Sequence, residues 1–238
     1  MSLKEILCKL HKLHKLYKLY MDGLLIINKP SGWTSFDVVA KIRGKLKVKK
    51  IGHTGTLDPM ATGVLVLCLG RATKKAQDIM GKDKEYIAEI TLGATSDTDD
   101  AEGTVTINKE AGVKSEAEIK RALKQFEGVI KQVPPKFSAK KINGQRAYKL
   151  ARKGKEVKLE PSEVTIHEIE LLNYKWPLVT VRVSCGKGTY LRSLARDLGE
   201  ALGIGGYLTK LQRTKVGQYS ISQAVNIEDA EEKNILPI

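Results

Sequence analysis

The sequence has few cysteines, no long apolar run and a shortage of acidic residues, and each shortage narrows the possible class of protein. Its three cysteines lie far apart, at positions 8, 68 and 185 of 238. This spacing disfavours a disulfide framework and indicates a reducing, intracellular environment. No apolar run approaches the roughly 20 residues that span a membrane. We therefore predict a cytoplasmic protein without membrane segments.

Acidic residues are outnumbered: 27 Asp and Glu face 41 Lys and Arg, and the net charge is +14. Such an excess indicates an anionic partner, such as RNA, DNA or a membrane surface, but it does not specify a fold. The hydrophobic fraction of 42% supports a substantial core. Because no linker rich in proline and glycine divides the chain, we predict one domain over residues 21–225 and a short tail over 226–238.

The first 20 residues differ from the rest. Residues 9–20 repeat Lys-Leu followed by His or Tyr with a period of three. A period of three drifts around a helix, so the leucines form no lasting apolar stripe. His11 and His14 alone supply too few ligands for a metal site. We predict a low-complexity, disordered extension over 1–20 and a folded part that begins at Met21.

Apolar patterns predict both strands and helices in the folded part. Alternation of apolar and polar residues favours half-buried strands, and capping residues before apolar periodicity favour helices. Strands dominate, and successive strands are often close enough in sequence to pair antiparallel. We predict an α+β fold, with a mixed and largely antiparallel sheet flanked by helices. The predicted strands cover 23–28, 85–92, 103–107, 164–172 and 179–183, and the predicted helices begin at Thr34 or Ser35, at Ser115 and at Tyr190.

One carboxylate stands in an unusual loop. Asp58 lies in the segment 52–63, which reads GHTGTLDPMATG and holds too many Gly, Thr and Pro residues for regular structure. Pro59 disfavours the α region for the residue before it, and the apolar run 64–69 then predicts a buried strand. A carboxylate on a constrained loop backed by core suits catalysis. The same residues suit an aspartate that caps a turn, so both interpretations stay open at this level.

A basic arm spans residues 131–158, where ten Lys and Arg residues face a single acid, Glu156. Phe137 and Tyr148 lie among these cations. Cations neutralise phosphates, and interleaved aromatic rings can stack on unpaired bases, so the arm predicts a nucleic-acid surface. A solvated surface with scattered charge is the alternative. A membrane surface is disfavoured because no clean amphipathic helix with an aromatic face is present.

A second segment with residues suited to binding or catalysis reads GKGTYLRS over 186–193, between a predicted strand and a predicted helix. Main-chain N–H groups at such a junction suit an anion. Arg192 falls in the first helical turn, where the macrodipole disfavours a cation. This placement indicates an anionic partner, either a phosphate or a carboxylate such as that of Asp58. The alternative is an ordinary surface arginine.

Taken together, these motifs resemble one family, the TruB-type tRNA pseudouridine synthases that act on uridine 55 in the T loop. The matching motifs occur in the family's order and extend over residues 23–220. The segment around Asp58 is close to diagnostic, whereas each of the others is moderately specific. The matching segments are 28–35 (NKPSGWTS), 52–59 (GHTGTLDP), 84–86 (KEY), 134–140 (PPKFSAK), 187–192 (KGTYLR) and 211–213 (LQR).

The resemblance implies catalytic roles for three residues. Asp58 would be the nucleophile, either at C6 of the base or at C1′ of the sugar. Arg192 would pair with Asp58 and hold it ionised, and Tyr86 would stack on the flipped uracil near the proton on C5. Substrate binding is implied for His53 at the flipped nucleotide, Tyr190 and Leu211 in the base pocket, Lys29 as a phosphate or structural partner, and Lys140, Lys141 and Arg152 in the family's thumb insertion.

The resemblance further implies a base-flipping isomerase that needs no metal, no other cofactor and no obligatory protein partner, and that acts as a monomer on the T stem-loop of tRNA. The C-terminal RNA-binding module of many members is not expected here. Three alternatives remain. They are a related synthase directed by a guide RNA, a non-catalytic RNA-binding or RNA-folding module, and a carboxylate hydrolase, which would want a second acid beside Asp58.

Overall fold

The computed structural model describes Ile6 and residues 21–138, 140–142, 144–151 and 159–238. The predicted extension over 1–20, apart from Ile6, and Arg152 lie outside this description. The chain forms two compact units where the sequence suggested one domain. The first comprises residues 21–82 with Arg213–Ile238, and the second comprises Asp83–Gln212.

Strands outnumber helices, as the sequence predicts. The strands are β1 Gly23–Lys29, β2 Ile51–His53, β3 Thr62–Leu69, β4 Lys84–Leu92, β5 Ala94–Ser96, β6 Val105–Ile107, β7 Gly128–Gln132, β8 Lys141–Ile142, β9 Gln145–Arg146, β10 Ser162–Lys175, β11 Leu178–Cys185, β12 Gly206–Val216 and β13 Tyr219–Ser220. The helices are α1 Ser35–Leu46, α2 Ala76–Met80, α3 Glu116–Lys124, α4 Ala147–Ala151 and α5 Leu191–Ala201, with short 3-10 segments at Gly70–Lys75, Ile221–Gln223 and Glu232–Asn234.

The first unit is built around β3, which lies between β1 and β12. β1 and β3 pair antiparallel from Gly23 opposite Leu69 to Lys29 opposite Gly63. Successive strand residues point to opposite faces, and β3 is apolar and buried on both. Leu65 and Leu67 pack in a cluster with α1, whereas Val64 and Val66 pack in a second cluster that includes Ile79 of α2. The continuous apolar run therefore marks a strand that is covered on both faces.

Helix α1 begins at a capping box. The Thr34 side chain accepts from the Asp37 main-chain N–H, and the Asp37 carboxylate accepts from the Thr34 N–H. Val38 and Ile42 are fully buried against the sheet, as their helical spacing predicts. The helix ends at Leu46, and the C-cap residue Lys47 adopts a left-handed conformation with φ 55°.

The end of the chain is part of the first unit. Ile227 and Ala230 are buried in its core. Leu24 and Leu236 exchange main-chain hydrogen bonds of 2.9 and 2.8 Å, and Val225 lies in a parallel bridge to Ile27. The residues set apart as a tail from the sequence therefore cover the outer edge of β1.

The second unit carries the strand order β12-β4-β11-β10-β7, and its described pairings are antiparallel. In β11, Val179, Val181 and Val183 are fully buried while Thr180 and Arg182 alternate with them, as predicted. Helices α3 and α5 supply apolar faces of their own. A parallel bridge joins Asp100 to Leu208. The predicted α+β class with a mixed, largely antiparallel sheet is confirmed.

Candidate active site

The loop that carries Asp58 is anchored to the core on its N-terminal side. Thr54 donates twice to the Val66 carbonyl, from its main-chain N–H at 3.0 Å and from its hydroxyl at 3.2 Å. The Ser35 hydroxyl accepts from the Leu57 N–H at 2.9 Å and donates to the Leu57 carbonyl at 3.2 Å. Thr54, Ser35 and Leu57 are all buried. The residue before Asp58 is therefore fixed through its own main chain.

The loop is anchored equally well after Asp58. The Pro59 carbonyl accepts from the Gly32 N–H at 2.8 Å and from the Lys29 ammonium at 3.0 Å. A turn is closed by the Ala61 N–H, which donates to the Asp58 main-chain carbonyl at 3.1 Å. Asp58 itself is half-buried on this anchored main chain.

Lys29 is buried in the first unit, and its assignment as a phosphate or structural partner stays a prediction. Its side chain is fully buried, and its ammonium donates to the carbonyls of Pro30 at 2.9 Å, Trp33 at 2.6 Å and Pro59 at 3.0 Å. An ammonium has three N–H donors, so these three carbonyls already account for all of them. These contacts tie the turn after β1 to the loop of Asp58, which favours the structural interpretation.

His53 lies at the start of this loop beside a buried arginine. Its Nδ1 accepts from the Gly55 N–H at 3.3 Å. Burial, followed by the positive charge of Arg213, holds the pKa of His53 below its usual value. Both effects disfavour the imidazolium, so His53 presents a neutral ring. A neutral ring suits contact with a nucleotide base.

Arg213 had no assigned role from the sequence. Its side chain is 3% exposed, and it donates from Nε to the Val64 carbonyl at 2.8 Å and from Nη2 to the Gly55 carbonyl at 3.1 Å. Gly63 (φ 97°) packs so closely that a Cβ there would lie 2.2 Å from the Arg213 carbonyl oxygen. Arg213 therefore links both ends of the Asp58 loop to β12.

The second unit holds the remaining predicted site residues. Tyr86 lies on β4 opposite Val183 and is 8% exposed, and Leu211 on β12 is 8% exposed. Tyr190 is half-buried at the N-cap of α5. β4 and β12 are neighbours in the sheet of this unit. Tyr86 and Leu211 therefore lie on adjacent strands, as residues lining one pocket require, and their contact with a base remains a prediction.

Arg192 is buried, so the alternative of a surface arginine is wrong. Its Nη1 lies 3.4 Å from Asp100 Oδ2 and donates to the Thr98 carbonyl at 3.4 Å, and its Nη2 donates to the Phe137 carbonyl at 3.1 Å. Asp100 is 2% exposed and also accepts from the Thr98 hydroxyl at 2.6 Å. Asp100 was not among the site residues predicted from the sequence. The proposed partner Asp58 belongs to the other unit, and that pairing stays a prediction.

The basic arm is described in part. Lys140 is exposed, whereas only the main chain of Lys141 is described and Arg152 is not. Short strands β8 and β9 pair through Lys141 and Arg146, and α4 follows directly. The assignment of these cations to RNA binding is untested by the fold.

Residues 21–138 and the later described ranges contain no group of three His, Cys, Asp or Glu residues arranged for a metal ion. The helices within those ranges are all too short or too polar to cross a membrane. Burial raises the pKa of both Cys68 and Cys185 to about 11, so neither thiol supplies a thiolate nucleophile near neutral pH.

Two family models match the chain. Residues 43–191 match the N-terminal domain of the TruB family pseudouridylate synthases, and residues 192–236 match the tRNA pseudouridylate synthase B C-terminal domain. The first match includes the Asp58 loop, and the boundary between the two falls at Arg192.

Curated relatives and solved structures agree with these matches. The chain is 48% identical to tRNA pseudouridine synthase B of Clostridium kluyveri over 91% of its own length and 74% of the relative. It is 46% identical to tRNA pseudouridine synthase B of Parabacteroides distasonis, over 90% of its own length and 95% of the relative. A chain in the crystal structure of a Cbf5-Nop10-Gar1 complex is 30% identical with a TM-score of 0.72, covering 91% of this chain but only 60% of that one. The chain belongs to the TruB family of pseudouridylate synthases, which are isomerases.

Proposed function

We propose that this protein converts uridine 55 in the T loop of tRNA to pseudouridine. The observation that carries the proposal is the Asp58 loop, where Leu57 and Pro59 are both hydrogen-bonded through their main chains and the aspartate between them is half-buried. Relatives named tRNA pseudouridine synthase B share up to 48% of aligned residues, which supports tRNA as the substrate.

The proposed reaction is an isomerisation within one nucleotide. Asp58 attacks the target nucleoside at C6 or C1′, and the bond between N1 and C1′ breaks. The uracil rotates, a bond forms between C5 and C1′, and the proton on C5 is lost while N1 gains one. Asp58 is then released unchanged, so no oxidant, reductant or other co-reactant enters the balance. Arg192 holds the nucleophile ionised by pairing with it.

The target base must leave its stack before it reaches Asp58. Flipping costs a few kcal/mol. Tyr86 offsets this cost by stacking, because one aromatic stack contributes about 1–3 kcal/mol. His53 contacts the flipped nucleotide as a neutral ring, and Tyr190 and Leu211 line the base pocket. The T loop is folded and partly unpaired, which suits recognition by shape together with splayed bases.

The basic arm supplies the electrostatic part of tRNA binding in this proposal. Ten cations against one acid over residues 131–158 neutralise backbone phosphates and release counterions. The enzyme acts as a monomer in the cytoplasm, without a protein partner. Reversing the charges of Lys140, Lys141 and Arg152 should weaken tRNA binding and flatten its salt dependence. The same reversal at the exposed residues Lys109, Lys120 and Arg121 is the matched control. An unchanged salt slope in the arm variant would exclude phosphate contacts by the arm.

The decisive experiment is modification mapping of an unmodified tRNA transcript treated with purified protein alone. Pseudouridine at position 55, without added protein or guide RNA, is the expected result. Asp58→Asn should abolish the product while tRNA binding changes little. Asp78→Asn, an exposed aspartate of the same unit, is the matched control and should keep full activity. Full activity of Asp58→Asn would disprove the nucleophile, and product elsewhere in the tRNA would disprove the target position.

A further inference from the structure

The side chain of Gln132 makes a reciprocal pair of hydrogen bonds with the main chain of Tyr190. Its Nε2 donates to the Tyr190 carbonyl at 3.1 Å, and its Oε1 accepts from the Tyr190 N–H at 2.8 Å. We propose that Gln132 is a positioning residue, which fixes the start of α5 and through it Tyr190 and Arg192. This inference rests on the proposed function, since it acts on two residues of that site.

Gln132 is itself held rigidly. It is the last residue of β7, lies opposite Ser162 in the register with β10, and is 1% exposed. Both halves of its amide are engaged, one as donor and one as acceptor, so the side chain cannot rotate without losing both bonds. A buried amide that makes two hydrogen bonds from a paired strand fixes its partner, here the Tyr190 main chain, relative to the sheet.

The place that Gln132 holds is the exact start of a helix. Tyr190 is the N-cap of α5, and its carbonyl also accepts the first helical bond, from the Leu194 N–H at 3.1 Å. Ser, Thr, Asp and Asn usually occupy this position, because a short side-chain oxygen caps the helix. Tyrosine has no such oxygen close to the main chain. Gln132 lies outside the helix, on β7, and fixes the helix start at Tyr190, two residues before Arg192.

Three more bonds join the first two turns of α5 to the segment that follows Gln132. The Val133 carbonyl accepts from the Ser193 hydroxyl at 2.8 Å and from Arg196 Nη2 at 3.0 Å. The Phe137 carbonyl accepts from Arg192 Nη2. This segment leads directly into the rest of the basic arm. The root of the arm is therefore bonded to α5 at several points, and the Gln132 pair engages the main chain of the N-cap itself.

The inference assigns Gln132 an effect on turnover rather than on RNA affinity. A misplacement of about 1 Å in a catalytic group costs up to about 100-fold in rate. Gln132→Met keeps the length and apolar packing of the side chain but removes both bonds. We expect kcat on tRNA to fall about 10- to 100-fold, with the Kd for tRNA within about two-fold of the wild type. Gln132→Glu keeps the acceptor for the Tyr190 N–H, so its kcat should lie between the kcat of the wild type and that of Gln132→Met.

Ser193→Ala is the matched control, because it removes one bond between α5 and the same segment but leaves Tyr190 untouched. Its kcat should stay within about two-fold of the wild type, even where its melting temperature falls as far as that of Gln132→Met. Equal kcat values in Gln132→Met and Ser193→Ala would overturn the inference. If Gln132→Met does not fold, wild-type kcat in Gln132→Glu would overturn it.

Hydrogen exchange separates this inference from the proposed function. The Tyr190 amide donates to Gln132, so its exchange in Gln132→Met should be about ten-fold faster or more than in the wild type and in Ser193→Ala. If the wild type makes no pseudouridine, the proposed function fails while the exchange rate still tests the hold on Tyr190. Unchanged exchange at Tyr190 would overturn the inference whatever the activity.

Discussion

Arg192 and Asp100 form a buried ion pair in the second unit, with Nη1 and Oδ2 3.4 Å apart and side chains only 6% and 3% exposed. A buried charge is tolerated when it is paired and hydrogen-bonded, and the Thr98 hydroxyl and the Glu102 N–H complete the surroundings of the Asp100 carboxylate. The Asp100 carboxylate thus helps to hold the orientation of Arg192.

Asp100→Asn tests this pair. The change keeps the shape but removes one of the negative charges near the buried guanidinium. Breaking a buried pair typically costs about 3–5 kcal/mol, so we expect a large drop in the free energy of unfolding, measured by urea titration. Asp83→Asn removes an exposed partner of His167 and should cost less than about 1 kcal/mol. Similar losses in both variants would contradict a structural role for the buried pair.

Lys29→Met tests the structural assignment of Lys29. The variant leaves three carbonyls without their ammonium donor, and unpaired buried groups cost about 1–3 kcal/mol each. We expect the free energy of unfolding to fall by at least about 2 kcal/mol and the Kd of the folded protein for tRNA to stay unchanged. Lys41→Met on the exposed face of α1 is the control. A weaker tRNA affinity with normal stability would instead support a role for Lys29 in binding phosphate.

His53 gives the first unit a pH-dependent stability. Its folded pKa is lowered by burial and by Arg213, so below the unfolded value near 6.5 the unfolded state binds more protons. Stability contributed by the neutral ring is therefore present above this value and is lost as pH falls through it. We expect wild type to lose more unfolding free energy than His53→Gln between pH 7.5 and 5.5. Equal losses in the two proteins would show that His53 titrates normally.

Two helical glycines should respond in opposite directions to alanine. A Cβ on Gly199 in α5 would lie 2.0 Å from the Gly206 nitrogen, so Gly199→Ala forces the helix away from β12. Overpacking of this kind costs about 1–3 kcal/mol. Gly44 in α1 has open space at the same position, and Gly44→Ala should stabilise by up to about 1 kcal/mol. Thermal unfolding of both variants measures the contrast.

What the sequence predicted correctly depends on neighbours along the chain. The Asp58 loop follows from Pro59 and its glycines, and the start of α1 follows from Thr34 and the carboxylate three residues later. The alternation of β11 follows from its own valines. Local steric and capping rules act over a few residues, so one sequence is enough to apply them.

What the sequence missed depends on partners far along the chain. Lys29 meets the Pro59 carbonyl 30 residues away, and Gln132 meets Tyr190 58 residues away. Asp100 and Arg192 are further apart still. Each residue type is ordinarily exposed, so its burial is set by the fold and has no local signal. The second of the two boundaries between the units, at Gln212 and Arg213, escaped for another reason, since it falls inside the continuous strand β12.

The second unit is one uninterrupted stretch of chain, whereas the first is assembled from two stretches on either side of it. Domains form as units while the ribosome delivers the chain from its N-terminus. The second unit can therefore complete its fold as soon as Gln212 has emerged. The first unit must wait for Arg213 and the segment that covers β1. The Asp58 loop, although made early, gains its Arg213 anchor only after the whole second unit has been synthesised.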